Sequence, residues 1–206
     1  TGATADNSLN YAVIANVDNA TLNANTGISV LATDSSEIDA SVEAGSVAAT
    51  VGLVGGSISI AVSLADTEVD NTITASITGA TNTDSNTVLV RATESNNIDV
   101  DTQASAVAAT AAIGPALAGG GAENTVTVNN TVDAQIIGDN AATNEIDATT
   151  SVDVVAVSTT VVDADVGVES IAIGFFSLAA SGGVVTITAT PTVRAQTGTI
   201  TVATNA

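Results

Sequence analysis

Acidic side chains recur at alternate positions in three short segments of this sequence. The alternating acids are Asp66, Glu68 and Asp70 in "DTEVDN", Asp99 and Asp101 in "IDVD", and Asp163 and Asp165 in "VVDAD". Alternate residues of a β-strand point to the same side, and carboxylate oxygens are ligands that Ca²⁺ prefers. The spacing therefore predicts Ca²⁺-ligating positions. The alternative interpretation is a solvated acidic edge with no fixed metal.

Catalytic chemistry has few residue types available in this chain. It contains 22 acidic residues and two basic ones, Arg91 and Arg194, with no Lys, His or Cys. A β-helix polysaccharide lyase needs a basic residue to accept a proton. A glycoside hydrolase uses paired carboxylates, which this chain has, but the aromatic sugar platforms are missing. The sequence predicts no catalytic and no cofactor-binding residue, and a polysaccharide-active β-helix enzyme remains an alternative.

The net charge of −20 limits the class of partner. Neutralising phosphates requires Lys and Arg, so nucleic acid is excluded, and anionic membrane surfaces are disfavoured. A setting with multivalent cations or high salt would screen the self-repulsion. Three uncharged stretches, 44–65, 104–122 and 170–193, are long enough to span a bilayer. Their Gly, Ser and Thr content and their lack of flanking basic clusters predict strands instead of membrane insertion.

A unit of about sixty residues repeats along the chain. The same strand position is occupied by Val13, Ile73, Val132 and Val193, with sequence differences of 60, 59 and 61. We predict one repetitive segment of a longer chain over 1–206, with units at about 10–69, 70–128 and 129–189 and a partial unit at 190–206. Asp39, Asp99 and Asp163 take equivalent positions. If the units stack, these acids form a ladder that repels itself unless a cation bridges it.

Each unit has the pattern of several short strands. A strand such as 72–77 leads into a turn rich in Gly, Asn, Asp and Thr. A strand over 88–92, a short acidic turn and the "NIDVD" strand come next. The uncharged stretch then reads as two strands broken at Gly55–Gly56 or at Gly119–Gly121. The pattern predicts an all-β protein.

The fold class that we predict is a β-solenoid, a right-handed β-helix of about three ~60-residue repeats. Stacked small β-sandwich units are the alternative. Solenoid repeats of roughly 20 residues per coil would give three coils per unit. About ten coils would then form a rod on the order of 50 Å long.

The segments "SVAA…GLVGGSISIAV", "NTITASITGAT", "TVLVRATES" and "NIDV" resemble the alanine- and valine-rich β-strand repeats of giant bacterial cell-surface proteins. These repeats occur in large adhesins, autotransporter-like passengers and leukotoxin-type proteins. The resemblance covers nearly the whole chain. It implies an extracellular, elongated, β-rich stalk or filament without catalytic residues.

Residues 56–66, "GSISIAVSLAD", alternate large aliphatic and small side chains without a slip. Placing the aliphatics in the core leaves an outward face of Ser57, Ser59, Ala61 and Ser63. An uncharged face of this kind packs closely against another layer, so we expect it to be an assembly face. It would be covered by the same chain or by a neighbouring subunit. Lysine at Ser57 or Ala61 should then abolish assembly without unfolding the protein.

The sequence therefore predicts a non-enzymatic extracellular rod with a structural or adhesive role, in a surface filament, a sheath or a giant adhesin stalk. Its expected partners are further copies or neighbouring repeats, and surface glycans are a further candidate. A Ca²⁺-dependent carbohydrate- or surface-binding module is the alternative. That alternative is disfavoured because Tyr11, Phe175 and Phe176 are the only aromatic residues.

Overall fold

The structure, a computed structural model, describes residues 1–82, 85–138, 145–198 and 201–203. This part of the chain contains strands and no helix. The strands are β1 (Gly2–Leu9), β2 (Ala12–Asp18), β3 (Thr21–Leu22), β4 (Gly27–Thr50), β5 (Ser57–Val69), β6 (Thr72–Thr78), β7 (Thr81–Asn82), β8 (Ser85–Thr110), β9 (Pro115–Val128), β10 (Thr131–Ile137), β11 (Glu145–Ile173), β12 (Phe176–Ala189), β13 (Thr192–Gly198) and β14 (Thr201–Ala203). The predicted all-β class is confirmed.

The strands form three main sheets in which every pairing is parallel. Their orders are β1-β5-β9-β12, β2-β6-β10-β13 and β4-β8-β11-β14, and β3 pairs with β7 in a small fourth sheet. Partners are about one repeat apart in the sequence: Gly2 lies opposite Val62, and Val88 lies opposite Val152. Parallel sheets that join equivalent positions are consistent with the β-helix or solenoid class.

The expected coil of roughly 20 residues is wrong. One passage of the chain through the three sheets takes about 60 residues, because β4 pairs with β8 at an offset of 60. The predicted acidic turn after residue 92 is absent, and β8 runs unbroken for 26 residues. Glu94 and Asn96 continue the alternation of the strand and point inward. Because these polar residues point inward, the strand continues through them, and each coil contains more residues than the sequence predicted.

The two glycine runs behave differently. Gly55–Gly56 separates β4 from β5, as expected. A Cβ on Gly114 in the next turn would lie 1.7 Å from the Gly55 carbonyl oxygen, so these turns approach too closely for any side chain. Gly119–Gly121 lies inside β9, so the expected break there is wrong. β9 starts at Pro115, where a residue that lacks an N–H is tolerated.

The long strands β4, β8 and β11 form one layer of the molecule, and the shorter strands run back across them as the second layer. The start of β8 packs against β6, so Val90 and Ile73 belong to one core cluster. The middle of β8 packs against β5 and β9, where Val100 meets Val69. Toward the end of β8 the core consists of alanines such as Ala61 and Ala106. The core therefore becomes thinner toward the β4–β5 turn.

The uncharged stretches lie mainly in these strands and the turns that join them. Within the described residues, no helix has the length and hydropathy that crossing a membrane requires. The turns after β2 and β6 contain the left-handed residues Asn19 (φ 47°) and Gly79 (φ 59°), which are at equivalent repeat positions. Asn and Gly are the residues that tolerate this conformation.

Gly120→Val is expected to destabilise the fold by about 1–3 kcal/mol through overpacking. Gly120 pairs with Ala61 in the thin core, and a Cβ there would lie 2.9 Å from Val168 Cγ1. Gly121→Val is the matched control, since the nearest atom to its Cβ is the Gly182 carbonyl oxygen at 3.9 Å. Urea unfolding measures both variants. An equal loss of stability would contradict the inward orientation of Gly120.

Candidate functional site

The seven predicted metal ligands lie in strands or directly beside them. Asp66 and Glu68 are in β5, Asp70 follows it, Asp99 and Asp101 are in β8, and Asp163 and Asp165 are in β11. Their side chains are exposed or half-exposed on the outer faces. Asp39, Asp99 and Asp163 pair directly across β4, β8 and β11, so the predicted acidic ladder is confirmed.

The structure does not bring the seven acids into one ligand set. Those of β5 are on the outer face of one layer, and those of β8 and β11 are on the outer face of the other. A depression of about 390 Å³ next to Asp66 also includes Asp6 and Glu123. Among the described residues, no group of three or more Asp, Glu, His or Cys side chains is arranged to hold a metal ion. Metal binding by these seven acids stays a prediction.

The expected outward face of residues 56–66 is wrong, because the strand has the opposite orientation. Ser57, Ser59, Ala61 and Ser63 are all at most 4% exposed and face the long strands. The hydroxyl of Ser59 donates to the Ser46 carbonyl oxygen at 2.8 Å. These four residues are covered by the chain itself, so they cannot form an outward assembly face. Lysine at Ser57 or Ala61 would be buried in the core instead of testing assembly.

The large aliphatic side chains of the same strand face outward. Ile58 is 65% exposed and Ile60 is 56% exposed. With Leu117 and Leu178 they line an apolar depression of about 240 Å³. The neighbouring turns add Val51, Leu53, Val54, Ile113, Phe175 and Phe176, each at least 65% exposed. We call these ten residues the apolar end.

Phe175 and Phe176 are both exposed, although adjacent residues of a strand point to opposite faces. Phe175 lies in the turn before β12, and Phe176 is the first residue of that strand. Their rings make an edge contact, with centroids 5.5 Å apart and an interplanar angle of 72°.

A buried polar layer, which the sequence analysis missed, separates two of the core clusters. Glu94 is fully buried and accepts hydrogen bonds from Asn130 Nδ2 at 2.8 Å and from the Ser158 hydroxyl. Asp34, which pairs with Glu94 across the sheet, is 7% exposed and accepts from the Tyr11 hydroxyl. Two carboxyl groups therefore lie side by side in the interior.

Burial raises the pKa of Glu94 above its ordinary value of 4.5, because an ionised carboxylate is poorly solvated there. The neighbouring Asp34 raises this pKa further, while hydrogen bonds from Ser158, Asn130 and the Thr159 backbone oppose the shift. The pKa of Tyr11 is also raised, first by loss of solvation and then by its hydrogen bond to Asp34.

The alternation of the sequence contained a signal for this layer. Val88, Val90 and Ala92 share their inward phase with Ile98 and Val100. Continuing that phase through the intervening residues places Glu94 and Asn96 inside. Because a turn was predicted at these residues, they were not assigned to the interior.

The two arginines lie outside this layer. Arg194 forms an ion pair with Asp133, with Nη2 2.5 Å from Oδ2, and that contact raises its already high pKa. Arg91 is exposed on β8 and donates from Nε to the Thr93 hydroxyl at 3.1 Å. Neither contact involves Asp34 or Glu94.

No protein-family model, curated protein or solved structure matches this chain.

Glu94→Gln is expected to raise the free energy of unfolding at neutral pH, measured by denaturant titration in chelator-containing buffer. A folded-state pKa above the unfolded value means that the folded state binds the proton more tightly. The resulting stabilisation is complete below the unfolded pKa and is lost as pH rises through the folded pKa. The advantage of the variant should therefore grow with pH above the ordinary value of 4.5.

Glu68→Gln, which removes an exposed carboxylate, is the control for the change in net charge. A pH-independent difference between Glu94→Gln and the unmodified protein would contradict the raised pKa.

Asp99→Asn is expected to raise the melting temperature at low ionic strength. Asp99 lies between Asp39 and Asp163, and like charges directly opposite each other in a sheet are destabilising. Salt screens exposed charges, so the gain should shrink in about 1 M NaCl. Calorimetry at the two salt concentrations measures both values. A gain that is independent of salt would show that charge repulsion is not its cause.

Proposed function

We propose that this chain is a non-enzymatic structural or adhesive element of an extracellular surface assembly, which extends by stacking further repeats, of the same protein or of another copy, on its edge strands. The proposal treats the chain as a right-handed β-solenoid of about three 60-residue repeats, since crossovers between parallel strands are almost always right-handed. The resemblance to repeats of giant bacterial surface proteins supports the extracellular setting and the structural or adhesive role.

The observation that carries the proposal is the uncovered core at the β12–β13 edge. Val132 in β10 is fully buried, whereas its partner Val193 in β13 is 47% exposed. Likewise, Val126 is fully buried and its partner Ile187 in β12 is 49% exposed. These side chains have the residue types and the orientation of the core, but no strand covers them among the described residues.

A second copy offers a matching edge. Val193 belongs to the column Val13, Ile73, Val132 and Val193. If β2 of a second copy continued the sheet, its Val13 would stack on Val193 in the register that the interior already uses. Among the described strands, none pairs with the open sides of β2 and β13, and such edges favour strand addition.

The absence of Lys, His and Cys from the chain supports a non-enzymatic role, because these side chains supply most general bases, proton shuttles and nucleophiles. The apolar end supports an adhesive contribution. Nine of its ten residues are exposed, and an apolar surface of this kind marks an interaction site.

Val193→Lys is expected to weaken head-to-tail association at least about 10-fold, because stacking would bury an unpaired charge. Sedimentation velocity over a concentration series at physiological ionic strength measures the association, and negative-stain electron microscopy checks for stacks. The melting temperature of the single chain should change little, because Val193 is already half exposed.

Thr192→Lys is the matched control, since it adds the same charge one residue away with the opposite side-chain direction in the strand. A monomeric unmodified protein at all concentrations would refute stacking between copies. Equal association by the unmodified protein and Val193→Lys would refute it too.

A further inference from the structure

Two columns of side chains face each other in the buried polar layer. One column contains Tyr11, Asn71 and Asn130, which directly precede the paired strands β2, β6 and β10. The other contains Asp34, Glu94 and Ser158, which pair across β4, β8 and β11. The columns touch at two places, where Tyr11 donates to Asp34 and Asn130 donates to Glu94.

Asn71 occupies the middle of the first column. Its backbone N–H donates to Asn130 Oδ1 at 3.0 Å, and its carbonyl oxygen accepts from the Thr131 N–H at 2.8 Å. Its neighbours on both sides face the acidic column, so the repeat directs Asn71 toward Asp34 and Glu94. Asn71 is fully buried, and neither Oδ1 nor Nδ2 has a hydrogen-bond partner.

The difference between Asp and Glu explains why Asn71 is unpaired. One repeat further along, the equivalent Asn130 reaches the Glu94 carboxylate. The acid that corresponds to Glu94 in the preceding repeat is Asp34, which is one methylene shorter. Asp34 instead accepts from Tyr11 and, at 3.3 Å, from the Ser36 hydroxyl. The side-chain carboxamide oxygen of Asn71 is therefore free, in the same buried layer as the two carboxyl groups.

No basic side chain compensates these carboxylates. The sequence has no Lys or His, Arg194 pairs with Asp133, and Arg91 lies on the outer face of β8. Buried charges in proteins are normally paired with an opposite charge or with a metal ion. Each carboxylate offers about four lone-pair sites, of which the protein hydrogen bonds use only part.

We propose that Asp34, Glu94 and Asn71 form a buried Ca²⁺ site. Two carboxylates balance the charge of one divalent cation, and the Asn71 carboxamide oxygen is a neutral ligand of the kind that Ca²⁺ accepts. All the proposed ligand atoms are oxygens, which Ca²⁺ prefers. This site is separate from the exposed acids of the outer faces.

The sole tyrosine of the chain provides a local probe, because Tyr11 contacts Asp34. Tb³⁺, which takes the same oxygen ligands as Ca²⁺, emits when an excited tyrosine close to it transfers energy. Titrating the folded protein with Tb³⁺ under tyrosine excitation should give saturable emission, which Ca²⁺ displaces. Ions on distant surface acids should contribute little to this signal.

Glu94→Gln should weaken Tb³⁺ binding by more than the roughly 10-fold that loss of an outer-shell partner costs a metal site. Glu37→Gln is the matched control. It makes the same change at an exposed carboxylate of β4 whose side chain points away from the buried layer, and it should leave the affinity unchanged. No tyrosine-sensitised emission from the unmodified protein would overturn the site. Emission that survives Glu94→Gln but is lost in Glu37→Gln would also overturn it.

Thermal unfolding gives a second readout that does not depend on how fast the ion enters the folded core. A ligand that binds only the folded state raises the melting temperature. Ca²⁺ should therefore raise the melting temperature of the unmodified protein and of Glu37→Gln more than that of Glu94→Gln. Equal shifts in all three proteins would mean that the ion acts only on surface charge, and would refute the site. Tb³⁺ emission that is the same in all three proteins would refute it as well.

Discussion

The in-register parallel pairing of equivalent repeat positions is the constraint on which the rest of this structure depends. Residues of paired strands lie directly beside their counterparts from the next repeat, as Ile73 lies between Val13 and Val132. Like therefore stacks on like in many of the columns. For aliphatic side chains this arrangement is favourable, since each column forms a continuous strip of core. For ionised side chains it is unfavourable, and the Asp39–Asp99–Asp163 column remains exposed to water.

The same constraint explains the buried polar layer. A polar residue that points inward in one repeat tends to have inward-pointing polar counterparts, as Glu94 does in Asp34 and Ser158. The polar groups of such a column find hydrogen-bond partners only if a second polar column faces it, and Tyr11, Asn71 and Asn130 provide that column. Because Asp34 is one methylene shorter than Glu94, the side chain of Asn71 is left without a hydrogen-bond partner. In a repeat protein, one residue that differs from its counterparts, as Asp34 differs from Glu94, thus produces a recognisable gap in the hydrogen bonding.

The β class and the stacking of equivalent positions could be predicted from the sequence, because periodicity and β-branched content report on both. The orientation of β5 could not be predicted in the same way. The usual rule places larger aliphatics inside, but the opposing strand segment there contains Ala104 and Ala106, and Gly120 lies beside Ala61. The layers are therefore close enough that only Ser, Ala and Gly fit between them. The distance between the layers depends on the residues of both layers, so the alternation within one strand could not predict it.

The length of β4, β8 and β11 determines how the molecule occupies space. A strand of 26 residues such as β8 spans about 85 Å at ~3.3 Å per residue. Each passage of about 60 residues raises the stack by only ~4.8 Å, the spacing between neighbouring strands. The protein is therefore a broad slab that grows by only one strand spacing per repeat and has a large lateral surface for its length of chain.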